Sequence, residues 1–343
     1  PSNFMGRAYQ QVPIGITVEG ANILTRSLII FGQGAIRCHP FLLPEMQAAQ
    51  NPDTRQGLVD FDKALWGHVG FTVKNGFRTL WLGMTGSHFV SVNTDVAPEM
   101  KRYYQQLTRF SAAFAFLSDI SLLVLGGSVK RREKLSARLG DILAQMYLIS
   151  CTLKRYEDEG RNKADAALAH WAIWDSMYKA QEAMDGVIAN FPVRFIAAFL
   201  HRSIFPWGHP YVVPSDDVGH EVAKLLIAPS ATRDRLTAEC FLPETENEPV
   251  GAIELALQAT LEAEAIEAKI REAEKAGRFA NNPRANVRDI ATVAAECGVI
   301  TTAEAEVMRR RNHLRDIVVR VDDFPFDYNV ATANKPAQSR LAA

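Results

Sequence analysis

The sequence predicts an all-α protein, built from helical bundles that are joined by irregular connections rich in proline and glycine. Three observations lead to this prediction. Apolar residues recur at alternating steps of three and four over long segments, which places them on one face of a helix. Glycine and proline cluster between these segments, where helices end. No stretch shows the strict alternation of apolar and polar residues that is typical of strands.

The composition is that of a globular protein with a substantial core. Hydrophobic residues make up 48% of the 343 residues and charged residues 22%, and the net charge of −1 gives no basic field for nucleic acid. The cysteines are scattered and form no CxxC pair or Cys/His cluster, so neither a disulfide framework nor a metal site is predicted. A reducing cytoplasm is the expected location. These cysteines are Cys38, Cys151, Cys240 and Cys297.

The first periodic segment covers residues 61–82 and is predicted to be helical. Gly67, Gly70 and Gly76 lie inside it, and we expect them to break the helix up because glycine is unfavourable in a helix interior. Residues 85–98 are predicted to form a loop.

Two long helices follow, and each shows an apolar stripe with steps of three and four. We expect them to pack together as a helical hairpin, since they are joined by Gly126-Gly127-Ser128. The first stripe consists of Met100, Tyr103, Leu107, Phe110, Phe114, Leu117 and Val124. The second consists of Leu135, Leu139, Ile142, Met146, Ile149, Leu153 and Tyr156.

Residues 110–127, within the first of these helices, are apolar enough to suggest a transmembrane span. Asp119 lies in the middle of this stretch, however, and a charge at the centre of a bilayer would be costly. A buried bundle helix explains the pattern more simply, so no membrane span is predicted.

A third helix, over residues 164–190, completes the centre of the bundle, which we place at residues 98–205. Trp171 and Trp174 are expected to belong to its core and not to a cofactor cage. They share a predicted stripe with Tyr178, Met184 and Val187.

Two irregular stretches, residues 205–216 and 241–249, follow the bundle. After them the sequence predicts an alanine- and glutamate-rich helix that ends at Gly277. A capping box in Thr301-Thr302-Ala303-Glu304 announces the last helix, and the tail after Pro325 is predicted to fray. The buried stripe expected for the first of these helices is Ile253, Leu257, Leu261, Ile266 and Ile270.

The motif with the clearest chemical meaning is Val18-Glu19-Gly20-Ala21-Asn22. It places a carboxylate where the chain leaves a loop, and the glycine that follows lets a ligand approach without a Cβ in the way. The motif is similar to the Tyr-Glu-Gly-Thr stretch of acyl-CoA dehydrogenases. Together with Arg37-Cys38-His39-Pro40 it resembles the large bacterial long-chain members of that family, the FadE type.

Further stretches carry the same resemblance in the same order, from Ile14 to Asp323. They include Lys101-Arg102-Tyr103-Tyr104, Leu125-Gly126-Gly127-Ser128, and the run from Ser136 to Asp141. An ordered series of this length is far more specific than one Glu-Gly pair. It identifies the region after the first helices with the C-terminal extension of the bacterial enzymes.

The resemblance implies roles for four residues. Glu19 would remove the α-proton of an acyl-CoA thioester, and its backbone N–H would donate to the thioester carbonyl. Gly20 would lie against the substrate, and Ala21 and Asn22 would lie near the flavin of a bound FAD. Many relatives have threonine at the position of Ala21 and glutamine at that of Ile23, so the FAD contacts implied here rest on the Asn22 amide.

The resemblance also implies partners and a domain plan. The partners are an acyl-CoA substrate, an electron-transferring flavoprotein and a second copy of the chain, with peripheral contact to the inner membrane as an option. Residues 1–50 would end the catalytic helical domain, 51–97 connect, 98–240 form the bundle of the extension, and 241–343 form C-terminal helices and a tail. Most of the flavin-binding body is expected to precede the chain.

The alternative function is a non-catalytic helical module for dimerisation or membrane-surface attachment, with Glu19 incidental. The basic run of Arg131, Arg132 and Lys134 with Lys130 could contact anionic lipid or CoA phosphates. Glu133 interrupts it at a helix start, so a solvated first turn is favoured.

Several other residues are interpreted as structural. Arg26 is expected to form a salt bridge or dimer contact, and His39 to be an ordinary histidine at a helix exit. His201 and His209 flank a loop, where packing is favoured over a functional pocket.

Overall fold

The computed structural model describes residues 4–18, 24–278 and 290–321. All regular secondary structure in these ranges is helical, which confirms the predicted fold class. Two compact units divide the chain. The large unit is Ile16–Arg235, and the small unit combines Pro1–Gly15 with Leu236–Ala343. The four predicted segments with their boundaries remain a prediction.

The helices follow one another along the chain without an intervening strand in the described residues. They are α1 (Phe4–Val18), α2 (Gly34–Cys38), α3 (Leu42–Ala49), α4 (Thr54–Met84), α5 (Lys101–Leu125), α6 (Glu133–Asp158), α7 (Ala166–Ala189), α8 (Arg194–Ile204), α9 (Asp216–Ile227), α10 (Ala231–Thr237), α11 (Pro249–Lys275), α12 (Ile290–Glu296) and α13 (Thr302–Val319). A π-helical segment, Leu24–Gln33, precedes α2, and the 3-10 turns Gly126–Arg131 and Lys163–Asp165 precede α6 and α7.

Helix α4 is one continuous helix, so the prediction that its glycines would break it was wrong. Gly67 and Gly76 make room for aromatic rings. A Cβ on Gly67 would lie 2.4 Å from the ring of Phe41, and one on Gly76 would lie 3.0 Å from the ring of Phe116. The glycines are therefore contact points between helices, and packing outweighs their low helix propensity.

The core of the large unit is formed by α5, α6 and α7, and α6 packs most extensively against α7. Both predicted stripes face this core. Met100, Tyr103, Phe110 and Leu117 of the first are buried, with the other members half-buried against them. The buried members of the second are Leu135, Leu139, Ile142, Ile149, Leu153 and Tyr156.

The buried face of α7 differs from the predicted one. Met184 and Val187 are buried and the half-buried Trp174 packs against the core, whereas Trp171 is 37% exposed, so the expectation of a core position was wrong for Trp171. Smaller side chains occupy the core side because α6 approaches α7 closely there. They are Ala169, Ile173, Ser176, Met177, Ala180 and Gln181.

The small unit is built from α11, α12 and α13. Ile266 and Ile270 of the predicted α11 stripe are buried, whereas Ile253 and Leu261 are exposed. Alanines replace them on the packed face, where α11 approaches its neighbours closely. The buried small residues of α11 are Gly251, Ala252, Ala259, Ala263 and Ala273.

Both helix ends predicted in the small unit are confirmed. Gly277 follows the end of α11 with φ +67°, a left-handed conformation that glycine adopts without strain. Thr301 and Glu304 form the capping box of α13. Hydrogen bonds from Lys269 and Thr301 lower the pKa of the Glu304 carboxyl to about 2.

Candidate functional site

The four residues with implied catalytic and binding roles, Glu19, Gly20, Ala21 and Asn22, lie outside the described residues. The structure describes the chain on both sides of them. Helix α1 ends at Val18, and the π-helical segment begins at Leu24.

The π-helical segment is fixed to α6 by an ion pair. Arg26 Nε lies 2.9 Å from Asp141 Oδ1, and Nη2 donates to Oδ2 at 3.0 Å. Gly140 lets the two backbones meet, since a Cβ there would lie 2.8 Å from the carbonyl oxygen of Arg26. Burial raises the pKa of Asp141, while Arg26 and Arg138 act in the opposite direction. This agrees with the structural role that the sequence favoured for Arg26.

A hydrogen-bonded cluster links the turn after α2 to α3, α4 and α5. Asp119, whose side chain is 2% exposed, accepts a hydrogen bond from His39 Nε2 at 3.0 Å and another from Thr72 Oγ1 at 3.0 Å. Beside them, His68 Nδ1 donates to Glu45 Oε1 at 2.8 Å. We call these five residues the Asp119 cluster.

The backbone decides which nitrogen of His39 carries the proton. The N–H groups of Phe41 and Leu42 both donate to His39 Nδ1, each at 3.2 Å, so Nδ1 acts as an acceptor. The proton of the neutral ring therefore sits on Nε2 and is donated to Asp119. Both nitrogens are occupied by protein groups, which leaves His39 no lone pair for a metal ion, although the cluster has metal-like composition.

Among the described residues, one helical stretch is long and apolar enough to cross a membrane by length and composition: Lys101–Val129, which is α5 with part of the 3-10 turn after it. Its charged centre is Asp119, which the sequence singled out without a partner. His39 and Thr72 supply the missing donors. His39 and Thr72 are far from Asp119 in the sequence, so the sequence alone did not identify them as its partners. A lone carboxylate in an apolar helix did indicate that hydrogen-bonding partners must exist.

An apolar cavity of about 380 Å³ opens between α7 and the chain before α9. At its inner end Tyr103 OH and His170 Nδ1 are hydrogen bonded at 2.8 Å. Burial lowers the pKa of His170 and raises that of Tyr103. The remaining wall includes Trp171, Trp174, Val212, Val213, Val218 and Glu221.

The basic run lies at the start of α6, where the sequence predicted it. Arg131, Arg132 and Lys134 are exposed and line a depression of about 490 Å³ together with Arg138 and Asn190. Their exposure agrees with a solvated first turn. The depression contains no aromatic or large apolar wall besides Leu135.

Two histidines and an aspartate also meet near the end of α7. His201, His209 and Asp185 have side-chain ligand atoms within 4.8 Å of one another. The sequence placed the two histidines beside a packed loop but gave no sign of Asp185, which lies on a different helix.

Neither cavity resembles a flavin site by itself. The apolar cavity carries a carboxylate, Glu221, and no cation for a diphosphate, while the basic depression has no surface for a flat ring. Neither of these two cavities therefore has the lining of an FAD site. The implied contacts, Ala21 and Asn22, fall in the part that is not described.

Comparison with known protein families gives one match. The family model described as "Acyl-CoA dehydrogenase, C-terminal, bacterial type" matches residues 36–324, which is most of the chain. The match begins just before the Asp119 cluster and includes α3 to α13. No solved structure matches the chain.

Proposed function

The chain belongs to the family of bacterial-type acyl-CoA dehydrogenase C-terminal domains, and from this membership we propose that the complete protein oxidises long-chain acyl-CoA to trans-2-enoyl-CoA in fatty-acid β-oxidation. The observation that carries the proposal is the match over residues 36–324. The motif around Glu19 precedes the matched residues and supplies the candidate base for the reaction.

In this proposal Glu19 is the base. Its carboxylate accepts the proton from the α-carbon while a hydride leaves the β-carbon, so the α–β bond becomes a double bond. No amino-acid side chain accepts a hydride, and FAD supplies that chemistry when it is bound. An electron-transferring flavoprotein would then reoxidise the flavin. A carboxylate is a weak base for this proton. Exclusion of water would raise the pKa of the base, and hydrogen-bond donors to the thioester carbonyl would stabilise the enolate that forms.

The contact between the π-helical segment and α6 supports the proposed role of Glu19. Because Arg26 is paired with Asp141, and Gly140 allows direct backbone contact, the π-helical segment that begins at Leu24 is held against the bundle at Arg26. We propose that the bundle provides a rigid platform for the base. Precise placement of a base matters because small displacements reduce rates strongly.

The test uses the complete protein with Glu19 changed to glutamine. We expect Glu19→Gln to retain FAD and bind acyl-CoA, but to lose flavin reduction in anaerobic stopped-flow absorbance. Glu133→Gln, an exposed glutamate at the start of α6, is the matched control and should reduce at the normal rate. A normal rate in Glu19→Gln would assign the base to another residue.

Attachment to a membrane surface is the second candidate function, and α4 favours it. One face of α4 carries exposed apolar side chains at steps of three, four and seven, including Trp66 (71% exposed) and Phe77 (72% exposed). Lys63, Lys74 and Arg78 are also exposed on this helix. An apolar face with tryptophan and nearby cations is typical of helices that lie in the membrane interface. The exposed apolar residues are Val59, Trp66, Val69, Val73, Phe77, Trp81 and Met84.

Vesicle co-sedimentation tests the second candidate. We expect the double variant Phe77→Ser/Trp81→Ser to bind vesicles containing anionic lipid about a hundredfold or more weakly, because burying each of the two large side chains contributes about 1.5–3 kcal/mol. Phe241→Ser removes an equally exposed aromatic from the small unit and should change nothing. Charge reversal at Arg131 and Arg132 tests the basic depression separately. Equal binding by the double variant and the wild type would end this proposal.

A further inference from the structure

The geometry near the end of α7 points to a metal site, and we propose that Asp185, His201 and His209 bind a divalent transition-metal ion of the zinc class. His209 Nε2 lies 3.3 Å from Asp185 Oδ1, and the His201 and His209 ring centroids are 5.7 Å apart. The three ligand atoms all lie within 4.8 Å of one another.

The spacing suits an ion between the three side chains. Zinc binds histidine nitrogen and carboxylate oxygen at about 2.0–2.2 Å, so neighbouring ligands of a tetrahedral site lie about 3.3 Å apart. His209 and Asp185 already have this separation. The ligand nitrogen of the half-buried His201 lies within 4.8 Å of both, so binding of an ion requires the His201 side chain to move closer.

The ligands come from elements that are fixed independently of any ion. Asp185 follows Gln181 by one turn of α7, and the Gln181 amide pairs with both backbone groups of Tyr211. Its Nε2 donates to the Tyr211 carbonyl at 2.7 Å, and its Oε1 accepts from the Tyr211 N–H at 3.0 Å. The turn that carries His209 is therefore bound to the helix that carries Asp185, with Phe205 buried at its start.

Whether the ring nitrogens of the histidines have hydrogen-bond partners distinguishes a metal site from a structural cluster. Neither nitrogen of His201 has a hydrogen-bond partner among the residues that the structure describes, and the polar contact of His209 there is the one between its Nε2 and Asp185 Oδ1. Lone pairs therefore remain for an ion, in contrast to His39 of the Asp119 cluster. Two imidazoles and one carboxylate form a donor set that zinc and its neighbours accept.

Three protein ligands leave a coordination position for water or another group. Asp185 and His209 are each 40% exposed, so an ion can reach the site from solvent. Bound there, the ion would join α7 to the end of α8 and to the turn after it. The same three segments would then unfold together.

The test measures Zn²⁺ binding to the full chain by calorimetry, after chelator treatment and alkylation of its four exposed cysteines. We expect saturation at a single ion per chain. His201→Ala, His209→Ala and Asp185→Asn should each weaken binding about tenfold or more, since even loss of an outer-shell partner costs about 10–100-fold. Co²⁺ should give a visible absorption band that His209→Ala abolishes.

His220→Ala is the matched control, because His220 is an exposed histidine on the neighbouring helix α9 and should not affect binding. All these positions are at least partly exposed, so we expect the variants to fold, which circular dichroism checks. Absence of Zn²⁺ binding by the alkylated wild type would overturn the proposal. Zn²⁺ affinity equal to that of the wild type in both single variants, His201→Ala and His209→Ala, would also overturn the proposal. A loss of Zn²⁺ binding in His68→Ala would do the same.

Discussion

Asp119 and Asp185 each lie beside two histidines, but the two regions differ in what else contacts the rings. Around Asp119, two backbone N–H groups donate to His39 Nδ1, and Thr72 donates to the Asp119 carboxylate. This carboxylate is 2% exposed. Around Asp185, the carboxylate is 40% exposed and His201 has no hydrogen-bond partner in the described part of the chain.

The difference shows that composition does not define a metal site. A histidine whose two nitrogens are both engaged acts as a structural link, whereas one with a free lone pair can bind an ion. The Asp119 cluster should therefore contribute to stability without any metal. The region around Asp185 should contribute little until an ion is present.

The largest expected effect that tests this comparison comes from removing the buried carboxylate. Asp119→Ala should lower the free energy of unfolding by about 3–5 kcal/mol, because removing one partner of a buried polar pair leaves the donors of His39 and Thr72 without their acceptor. Asp185→Ala should cost less than about 1 kcal/mol in metal-free buffer, since its pair is exposed. Urea denaturation measures both, and equal losses would contradict the comparison.

A smaller effect is expected where rings pack onto α4 beside the Asp119 cluster. Gly67→Ala should destabilise the protein by about 1–3 kcal/mol, because the new methyl group would overlap the Phe41 ring. Gly70→Ala, three residues further on, meets no atom within 4 Å and should stabilise by about 0.5–1 kcal/mol. Thermal unfolding shows whether each variant is more or less stable than the wild type. A stabilising Gly67→Ala would show that Phe41 can move aside.

The smallest effect tests a single hydrogen bond of the Asp119 cluster. Thr72→Val keeps the shape of the side chain but removes the donor to Asp119 Oδ2, so we expect a loss of about 1–2 kcal/mol. Thr152→Val, on the exposed face of α6, should stay within about 0.5 kcal/mol of the wild type. A difference in urea midpoint between these variants measures the bond, and no difference would mean that water replaces it.

Helix existence followed from sequence far better than helix contacts did. The period of apolar residues fixed the buried faces of α5 and α6, because six or seven large side chains agree on one direction. The same logic held only in part for α7 and α11, where small residues share the packed face with larger ones. Small residues carry a weak periodic signal although they allow the closest packing.

The sites were harder to deduce because their members come from distant parts of the chain. His39 and Asp119 are eighty residues apart, and Asp185 is on a different helix from His201. Local patterns record only contacts within a helix or turn. The family resemblance supplied Glu19, whose neighbourhood the structure does not describe, and it gave no sign of either histidine cluster.

The order of residues in the Asp119 cluster has a consequence for synthesis. His39 and Thr72 precede Asp119 in the chain, so both have left the ribosome before the middle of α5 emerges. By length and composition this helix could cross a membrane, and the carboxylate at its centre would make insertion costly. In the folded protein, His39 and Thr72 give this carboxylate the hydrogen bonds that a bilayer would not supply.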